Sequence, residues 1–355
     1  MNTTIRVALL FGGRSAEHDV SILSARNIAT TLQKARYEVI PVCISREGNW
    51  LSPSFSQDVL QGKVSPTDAT LNDQILPYSQ EHLTADVMFP ILHGTYGEDG
   101  TLQGLLRLLD VPFIGADVLG SAVGMDKDVM KRLLRDAKIP ITPFLVSTRS
   151  KPVSFSLAAK KLGLPLFVKP ANAGSSVGVA KVATKKAFDK AVSEALTFDR
   201  KVMLEKLVRG REIEVSVLGN ERPRASLPGE IVPTHDFYSY EAKYLDENGA
   251  HTTIPARVPK SIIKELQATA IKAYEALNCE GMGRVDFFLT KSGKILVNEI
   301  NTLPGFTNIS MYPKLWEASG INSEELIHEL IRLALERHAT QKTLKTKPVA
   351  TDKKK

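Results

Sequence analysis

Two short segments that alternate polar and apolar residues constrain this chain more than any other feature. Arg284 and Asp286 lie two residues apart in one segment, and Glu299 and Asn301 lie two residues apart in the other. Side chains of a strand point alternately to opposite faces, so each pair shares one face of its strand. The intervening residues Thr290–Lys294 have the composition of a hairpin turn. The sequence therefore predicts an antiparallel hairpin with one polar face.

The register of this hairpin predicts a cation site. A two-residue loop at Ser292–Gly293 would place Asp286 opposite Glu299 and Arg284 opposite Asn301. Opposed carboxylates, with Cβ atoms roughly 5 Å apart, repel each other unless a cation lies between them. Hard oxygen ligands of this kind suit Mg²⁺. The pattern therefore points to chemistry on phosphates.

Composition and charge exclude several classes of protein. The chain has 355 residues, 43% hydrophobic and 24% charged, which is typical of an ordered protein with more than one domain. Its net charge is +7, but the tail 340–355 holds six lysines and one aspartate and leaves +2 for the body. A nearly neutral body gives no electrostatic basis for binding nucleic acid. The tail is expected to be a solvated, disordered end.

The remaining global signals indicate a cytoplasmic protein. Cys43 and Cys279 lie in no Cys-x-x-Cys pattern, so we expect two buried free thiols. The first residues run directly into a strand and lack the regions of a signal peptide. No run of 18 apolar residues is present, so we expect no membrane span.

The order of predicted elements indicates an α/β protein. Residues 1–125 alternate buried strands and helices, which implies a parallel sheet covered by helices. Asp126 resembles the N-cap of a helix whose apolar face carries Val129, Met130, Leu133, Leu134 and Ala137. A polar connection at 230–259 is too long for a plain loop and suggests a lid or binding loop. The other predicted elements are strands at 5–11, 39–44 and 87–92, strands across 166–218, and helices at 185–196, 261–277 and 322–338.

Two further segments carry weaker phosphate or nucleotide signals. Lys169 ends a strand and precedes the small residues 170–178, whose backbone N–H groups could approach an anion closely. The spacing is not that of a P-loop, and a plain flexible hairpin fits equally well. Glu205 ends another buried strand, where it could accept hydrogen bonds from an adenine amino group or ribose hydroxyls. A salt-bridged surface turn is the alternative there.

Three candidate residues follow strand ends or turns elsewhere. Glu17 opens a helix after Gly12-Gly13, a position that the helix dipole favours without any function. His93 follows a predicted parallel strand, where ligands commonly bind, although a structural histidine is about as common there. Gly305 could direct its N–H at a developing oxyanion, or could belong to a simple Pro-Gly turn.

Taken in order, these segments closely resemble the D-alanine–D-alanine ligases of the ATP-grasp superfamily over about residues 5–335. Some of these segments are weak individually, but together and in register they are very specific. The matching segments are Leu10–Glu17, His93–Gly100, Met125–Lys127, Val168–Pro170, Gly174–Gly178, Phe237–Tyr244, Gly283–Asp286 and Asn298–Thr307.

The resemblance implies a three-domain ATP-grasp fold with an N-terminal parallel-sheet domain. Its domains would be an N-terminal substrate domain at 1–125, a central lid domain at 126–215 and a C-terminal catalytic domain at 216–339, followed by the tail at 340–355. It also implies that the carboxylate of one D-alanine attacks the γ-phosphate of ATP, giving an acyl phosphate and ADP. The amine of a second D-alanine then attacks the acyl phosphate, and phosphate leaves.

The resemblance also assigns roles to individual residues. Ligands of two Mg²⁺ ions, which Mn²⁺ could replace, would be Asp286, Glu299 and Asn301. Residues of the ATP site would be Lys127, Lys169, Ser176, Glu205, Lys206, Val208, Glu212 and Lys243. Residues acting on the first substrate and the oxyanion would be Glu17, Ser175, Tyr244, Arg284 and Gly305. Neighbours of the two substrates would be His93, Ser310 and Met311.

Specificity and assembly are also implied only by the resemblance. Relatives that make D-alanyl-D-lactate tend to carry Phe where this chain has Tyr244, so an amine is expected as the second substrate. A relative that joins D-alanine to D-lactate or D-serine is the nearest alternative. The resemblance implies a homodimer. It also implies D-alanine and ATP as substrates, and no binding to nucleic acid or membrane.

Overall fold

The computed structural model describes residues 4–76, 84–174, 177–233 and 250–345, and within these ranges the chain forms three β-sheets. The first sheet has the order β4-β3-β2-β1-β5, with β1 parallel to both β2 and β5, which confirms the predicted parallel arrangement. Its strands are β1 (Arg6–Gly12), β2 (Glu38–Ile44), β3 (Trp50–Leu51), β4 (Gln74–Ile75) and β5 (Val87–Pro90). The helices of this region are α1 (His18–Lys34), α2 (Pro53–Leu60), α3 (Thr101–Leu108) and α4 (Val118–Met125), with short 3₁₀ turns at Pro66–Asp68 and Leu71–Asp73.

The second sheet is antiparallel and has the order β6-β9-β7-β8. Its strands are β6 (Phe144–Thr148), β7 (Leu166–Pro170), β8 (Ala180–Val182) and β9 (Lys201–Lys206). Helices α6 (Phe155–Leu162) and α7 (Lys185–Phe198) pack on it, and the predicted helix at 185–196 is therefore confirmed. Lys169 and Glu205 lie at or near the ends of β7 and β9, as the sequence predicted.

The third sheet is also antiparallel, has the order β13-β12-β10-β14-β15, and carries β11 beside β10. Its strands are β10 (Gly210–Leu218), β11 (Arg224–Ala225), β12 (Gly229–Pro233), β13 (Ala250–Thr253), β14 (Met282–Thr290) and β15 (Ile295–Asn301). The segment predicted as a long connection at 230–259 thus includes two paired strands, because β12 and β13 extend this sheet. Residues 234–249 between them lie outside the described part.

Helices α5 (Lys127–Asp136), α8 (Lys260–Ala276), α9 (Met311–Ala318) and α10 (Ser323–Lys342) complete the described elements. Helix α10 continues past His338, so the segment expected to be disordered from 340 onwards begins as helix. Both cysteines are free and buried, as expected. In the ranges that the structure describes, no helix is both long and apolar enough to cross a membrane.

Helix α5 packs on the third sheet although it precedes the second in the chain. Asp126 Oδ1 accepts hydrogen bonds from the backbone N–H groups of two first-turn residues at 3.1 Å, which confirms the predicted N-cap. Met130 and Leu134 belong to the core of the third sheet. Leu133, predicted on the apolar face, is 37% exposed, whereas Lys131 is fully buried. The predicted apolar face is therefore wrong at this turn, and the domain boundaries at 126 and 215 stay a prediction.

The hairpin β14–β15 has the predicted register at its polar end but not the predicted turn. Asp286 pairs with Glu299, as expected. Thr290 N–H bonds Lys294 O, so the loop has three residues rather than two, with Gly293 at φ 81°. A β-bulge at Asn298 removes the offset that the longer loop introduces.

This bulge has a second effect, on the faces of β15. Ile295, Val297 and Ile300 all lie in the core of the third sheet, although the last two are three residues apart. Strict alternation would place Glu299 on the same face as Val297. The extra residue at Asn298 switches the alternation, so the strand buries its apolar residues and directs its polar residues into the opposite cleft.

Candidate active site

Three carboxylates lie side by side across three neighbouring strands of the third sheet. Glu214 on β10 pairs with Asp286 on β14, which pairs in turn with Glu299 on β15. Sequence reasoning found the last two and missed Glu214, because β10 joins the hairpin only through tertiary pairing. All three line one cleft. Carboxylates opposed in this way repel each other, so the row favours a bound cation.

Arg284 compensates part of this negative charge. Its Nε and Nη2 lie 2.7 and 2.8 Å from the two carboxylate oxygens of Asp286, a bidentate pair. The same Nε lies 3.0 Å from Glu214 Oε2. The guanidinium is therefore held between two carboxylates in one orientation, facing the cleft.

The N-terminal sheet contributes the opposite wall of the cleft. On this side Glu17, His93 and Glu98 line the cleft. Arg284 and Gly305 line it from the C-terminal part of the chain. Glu17 is the N-cap residue of α1, and His93 follows the carboxyl end of β5, where parallel sheets commonly bind ligands. The structure thus brings the predicted residues of the N-terminal and C-terminal segments to one place.

Glu98 is a candidate that sequence reasoning did not single out. It is buried, and its Oε2 accepts a hydrogen bond from Gly94 N–H at 2.7 Å. Burial, together with the nearby Glu17 carboxylate, raises its pKa well above the ordinary value. Nothing in the sequence around Glu98 distinguishes it from a solvated loop carboxylate, because its burial arises from the packing of two distant segments.

His93 is buried and neutral. Its Nε2 lies 3.3 Å from Ser24 Oγ on α1, and its carbonyl accepts a hydrogen bond from Ser15 Oγ. Burial lowers its pKa to about 4, with a smaller contribution from the Arg284 cation. A neutral imidazole can both donate and accept a hydrogen bond at neutral pH.

This shifted pKa predicts a loss of stability in acid. Between about pH 6.5 and pH 4 the unfolded chain binds a proton at His93 that the folded chain does not, so the free energy of unfolding falls as pH falls through this range. Stability is unreduced by this group above about pH 6.5, and the loss reaches about 3 kcal/mol at pH 4. Urea unfolding of the wild type and His93→Gln at pH 7 and pH 4.5 measures it. The variant should lose less stability on acidification, and equal losses in the two proteins would contradict the assignment.

The turn after β15 holds Gly305 against the predicted second-substrate residues. Ser310 Oγ accepts a hydrogen bond from Thr307 N–H at 2.9 Å, and Met311 begins α9. A Cβ added at Gly305 would lie 2.9 Å from Ser310 Oγ, so a side chain there would displace the serine. Gly305, Ser310 and Met311 all line the cleft.

A cluster of lysines lies next to the carboxylate row. Lys127 Nζ donates to Ala173 O at 2.8 Å and lies 3.4 Å from Glu299 Oε2. Lys169 Nζ lies 2.5 Å from Glu205 Oε2, and Lys131 Nζ lies 2.7 Å from Glu205 Oε1. Sequence reasoning predicted every member of this cluster except Lys131 and Ala173.

The remaining predicted residues belong neither to the carboxylate row nor to the lysine cluster. Glu212 lines the main cleft. Lys206 is exposed at the end of β9, and Val208 is half-buried in the turn that follows. The predicted residues Ser175, Ser176, Lys243 and Tyr244 lie outside the described residues.

The donor set of the cleft suits a hard divalent cation. Asp286, Glu299 and Asn301 supply carboxylate and amide oxygens, and Asn298 Oδ1 is buried without a hydrogen bond among the described residues. Within the same residues, no group of three or more His, Cys, Asp or Glu side chains forms a metal site by itself. Residues that could hold such a cation are therefore the carboxylates together with the amide oxygens of Asn298 and Asn301.

Two antiparallel sheets that bound a cluster of lysines, together with an N-terminal sheet that has a parallel centre, define an ATP-grasp enzyme. Family models support this class in detail. The D-ala D-ala ligase N-terminus matches residues 6–116, and the D-ala D-ala ligase C-terminus matches residues 133–332. The chain belongs to the D-alanine–D-alanine ligase family.

Individual relatives agree with the family models. The D-alanine–D-alanine ligase A of Salmonella typhimurium strain LT2 is 50% identical over 96% of this chain and 99% of its own length, and that of Escherichia coli K12 has the same identity and coverage. The D-alanine–D-alanine ligase structure from Coxiella burnetii superposes with a TM-score of 0.82 at 41% identity, covering 96% of each chain. The VanG D-Ala:D-Ser ligase from Enterococcus faecalis superposes with a TM-score of 0.80 at 32% identity, covering 94% of this chain and all of its own.

Proposed function

We propose that the protein joins two molecules of D-alanine into D-alanyl-D-alanine at the expense of ATP, for peptidoglycan precursor synthesis. The carboxylate of the first D-alanine attacks the γ-phosphate, and D-alanyl phosphate and ADP form. The amine of the second D-alanine then attacks the carbonyl carbon, and phosphate leaves. One observation supports this most directly: the carboxylate row, Arg284 and the Glu17–His93 wall face a single cleft.

The metal requirement follows from the donor set. We propose two Mg²⁺ ions, replaceable by Mn²⁺, held by Asp286, Glu299 and Asn301. When bound, the ions neutralise the triphosphate and the transferring phosphoryl group. Asp286 can serve while paired with Arg284, because two oxygens of a carboxylate offer about four acceptor positions and the guanidinium uses two.

The lysine cluster would hold the nucleotide. Lys127 and Lys169 supply positive charge beside the carboxylate row, where the phosphates would lie. Burial by itself would lower the pKa of Lys169. The carboxylates of Glu205 and Glu299 outweigh burial and raise this pKa, so Lys169 stays a cation. The other proposed ATP contacts are Ser176, Glu205, Lys206, Val208, Glu212 and Lys243.

The first substrate would bind between Glu17 and Arg284. The carboxylate of Glu17 would orient the ammonium group, with Ser175 and Tyr244 as its proposed partners and His93 as a neighbour. Gly174 lies against this carboxylate, since a Cβ added there would be 2.7 Å from Glu17 Oε2. Gly174 belongs to the loop between β7 and β8, here called the lid loop, whose described part thus already touches the N-terminal segment.

This contact predicts the effect of a methyl group. Gly174→Ala should push Glu17 or the lid loop away, and the resulting misplacement of the substrate should lower kcat/KM for D-alanine by about 10- to 100-fold. Steady-state ADP release measures the loss. Gly104→Ala is the matched control, because its Cβ would meet nothing within 4 Å and activity should be unchanged. Equal kinetics for both variants would contradict the proposed position of Glu17.

The second half-reaction needs donors for a developing oxyanion. Arg284 and the Gly305 N–H are proposed for this role, and each such donor typically contributes roughly 3–4 kcal/mol to lowering the barrier. Ser310 and Met311 are proposed to hold the carboxylate of the second D-alanine. Closure of the segment at 230–259 would exclude water and protect the acyl phosphate from hydrolysis.

The alternative is a ligase that joins D-alanine to D-lactate or D-serine. The relatives at 50% identity are D-alanine–D-alanine ligases, whereas the D-Ala:D-Ser ligase is 32% identical, which favours D-alanine as second substrate. Tyr244 supports the same choice. A homodimer and a cytoplasmic location also remain proposals.

Coupled ADP release with D-alanine alone, followed by mass detection of the product, tests the function. We expect ADP and D-alanyl-D-alanine in equal amounts. When D-lactate or D-serine competes at equal concentration and neutral pH, the yield of D-alanyl-D-alanine should fall only slightly, because the competitor binds weakly. A preference for D-lactate or D-serine over D-alanine would overturn the substrate assignment. Absence of any ADP release would overturn the reaction.

A further inference from the structure

A fully buried lysine next to the proposed nucleotide site has no role in the mechanism described above. Lys131 Nζ is 0% exposed and lies 2.7 Å from Glu205 Oε1. Lys169 Nζ lies 2.5 Å from Glu205 Oε2, so each oxygen of this carboxylate has its own cation. Glu205 is itself only 3% exposed.

This pair joins two parts of the molecule. Lys131 lies on α5, whose neighbours Met130 and Leu134 pack in the core of the third sheet. Glu205 lies on β9 of the second sheet. Lys127, one turn earlier on α5, reaches Ala173 O in the lid loop. Helix α5 therefore carries two lysines that reach across to the second sheet and its loop.

The charges of the cluster keep Glu205 ionised. Burial alone would raise the pKa of its carboxyl group, but Lys131 and Lys169 outweigh burial and lower it. Burial lowers the pKa of Lys131, against the attraction of Glu205. Burying a lysine is expensive, and apolar residues in place of a buried ion pair are often neutral or stabilising. Stability alone is therefore a weak reason for a lysine here.

The geometry points to a recognition role, and we infer that Lys131 is a positioning residue that fixes the Glu205 carboxylate as an acceptor for the amino group of adenine. This inference rests on the proposed function, in which Glu205 contacts the base. A carboxylate whose two oxygens are each held by a lysine has few orientations and keeps its remaining lone pairs in a fixed direction. Adenine presents an amino donor at C6, whereas guanine presents a carbonyl oxygen that an ionised carboxylate repels. Lys131 thereby makes the site prefer ATP to GTP.

Binding of non-hydrolysable analogues to Lys131→Met tests this inference without turnover. Met preserves the unbranched length and removes the charge. We expect calorimetry to show about 10- to 100-fold weaker binding of the ATP analogue and a smaller loss for the GTP analogue, because a fixed charge-assisted acceptor is lost only for adenine. Both kcat and the KM for D-alanine, measured at saturating ATP, should stay within about threefold of wild type. Equal losses for the two analogues, or none, would overturn the inference.

Three further variants keep the result interpretable. Lys131→Arg keeps the charge and should retain part of the preference for ATP. Arg132→Met, on the exposed face of the same helix, should bind both analogues as the wild type does. In the Glu205→Gln background, adding Lys131→Met should change neither affinity further, because no carboxylate remains to orient; an additional tenfold loss of ATP analogue would overturn the inference. This double variant also serves if Lys131→Met alone does not fold.

The proposed function and this inference fail in different ways. Wild-type protein that neither binds the ATP analogue nor releases ADP with D-alanine would refute the proposed function. Wild-type protein that does both, while Lys131→Met keeps the same analogue preference, would refute only the role of Lys131.

Discussion

Glu299→Gln should lower ATP turnover by about 10³-fold or more and leave the fold intact. Glutamine keeps the shape of the side chain and one acceptor oxygen, but it removes the charge that a bridging cation requires. The free energy of unfolding should change little. The variant relieves repulsion within the row of Glu214, Asp286 and Glu299, and it loses the 3.4 Å ion pair with Lys127.

Turnover and stability must be measured on the same preparation to separate a metal role from a structural one. ADP release with D-alanine gives the first, and thermal unfolding with and without Mg²⁺ and ADP gives the second. Stabilisation by Mg²⁺ with ADP should be weaker in the variant, because a ligand that binds only the folded state stabilises it. Lys294→Gln in the exposed turn of the same hairpin is the control and should behave as wild type. Turnover of Glu299→Gln within tenfold of wild type would refute the metal assignment.

The hairpin illustrates how far sequence reasoning reached. Alternation within each strand identified the polar face, and the pairing of Asp286 with Glu299 is confirmed. The predicted turn and the predicted regular pairing were wrong, because the loop is one residue longer and Asn298 forms a bulge. A bulge has no strong sequence signal here. The three-residue step between Val297 and Ile300, both apolar, was the available clue.

Helix α5 shows why some site residues could not be predicted. Its N-cap depends on local backbone groups, so Asp126 was recognisable from the sequence. The burial of Lys131 depends on Glu205, which is far along the chain, and a helical pattern treats such a lysine as solvated. Glu98 and Glu214 were missed for the same reason, since their neighbours come from distant segments. Local chemistry was predictable, whereas the burial of charges was not.

Arg284→Lys should lower kcat by about 10²- to 10³-fold, which corresponds to about 3–4 kcal/mol of transition-state stabilisation. Lysine keeps the positive charge between Glu214 and Asp286, so the fold should survive. It cannot reproduce the planar fork that now bonds Asp286 through Nε and Nη2, and its ammonium group would not be aimed at the developing oxyanion.

The kinetic pattern distinguishes this role from simple substrate binding. A donor that acts mainly on the oxyanion lowers kcat and kcat/KM together, whereas a residue that only binds D-alanine raises KM and leaves kcat unchanged. Initial rates of ADP release over a range of D-alanine concentrations, with thermal unfolding as a check on the fold, separate the two. An unchanged kcat with a raised KM would move Arg284 from the oxyanion to the substrate carboxylate. Because Asp286 would then lose its bidentate partner without loss of turnover, that result would also show that the Arg284–Asp286 pair is dispensable for chemistry.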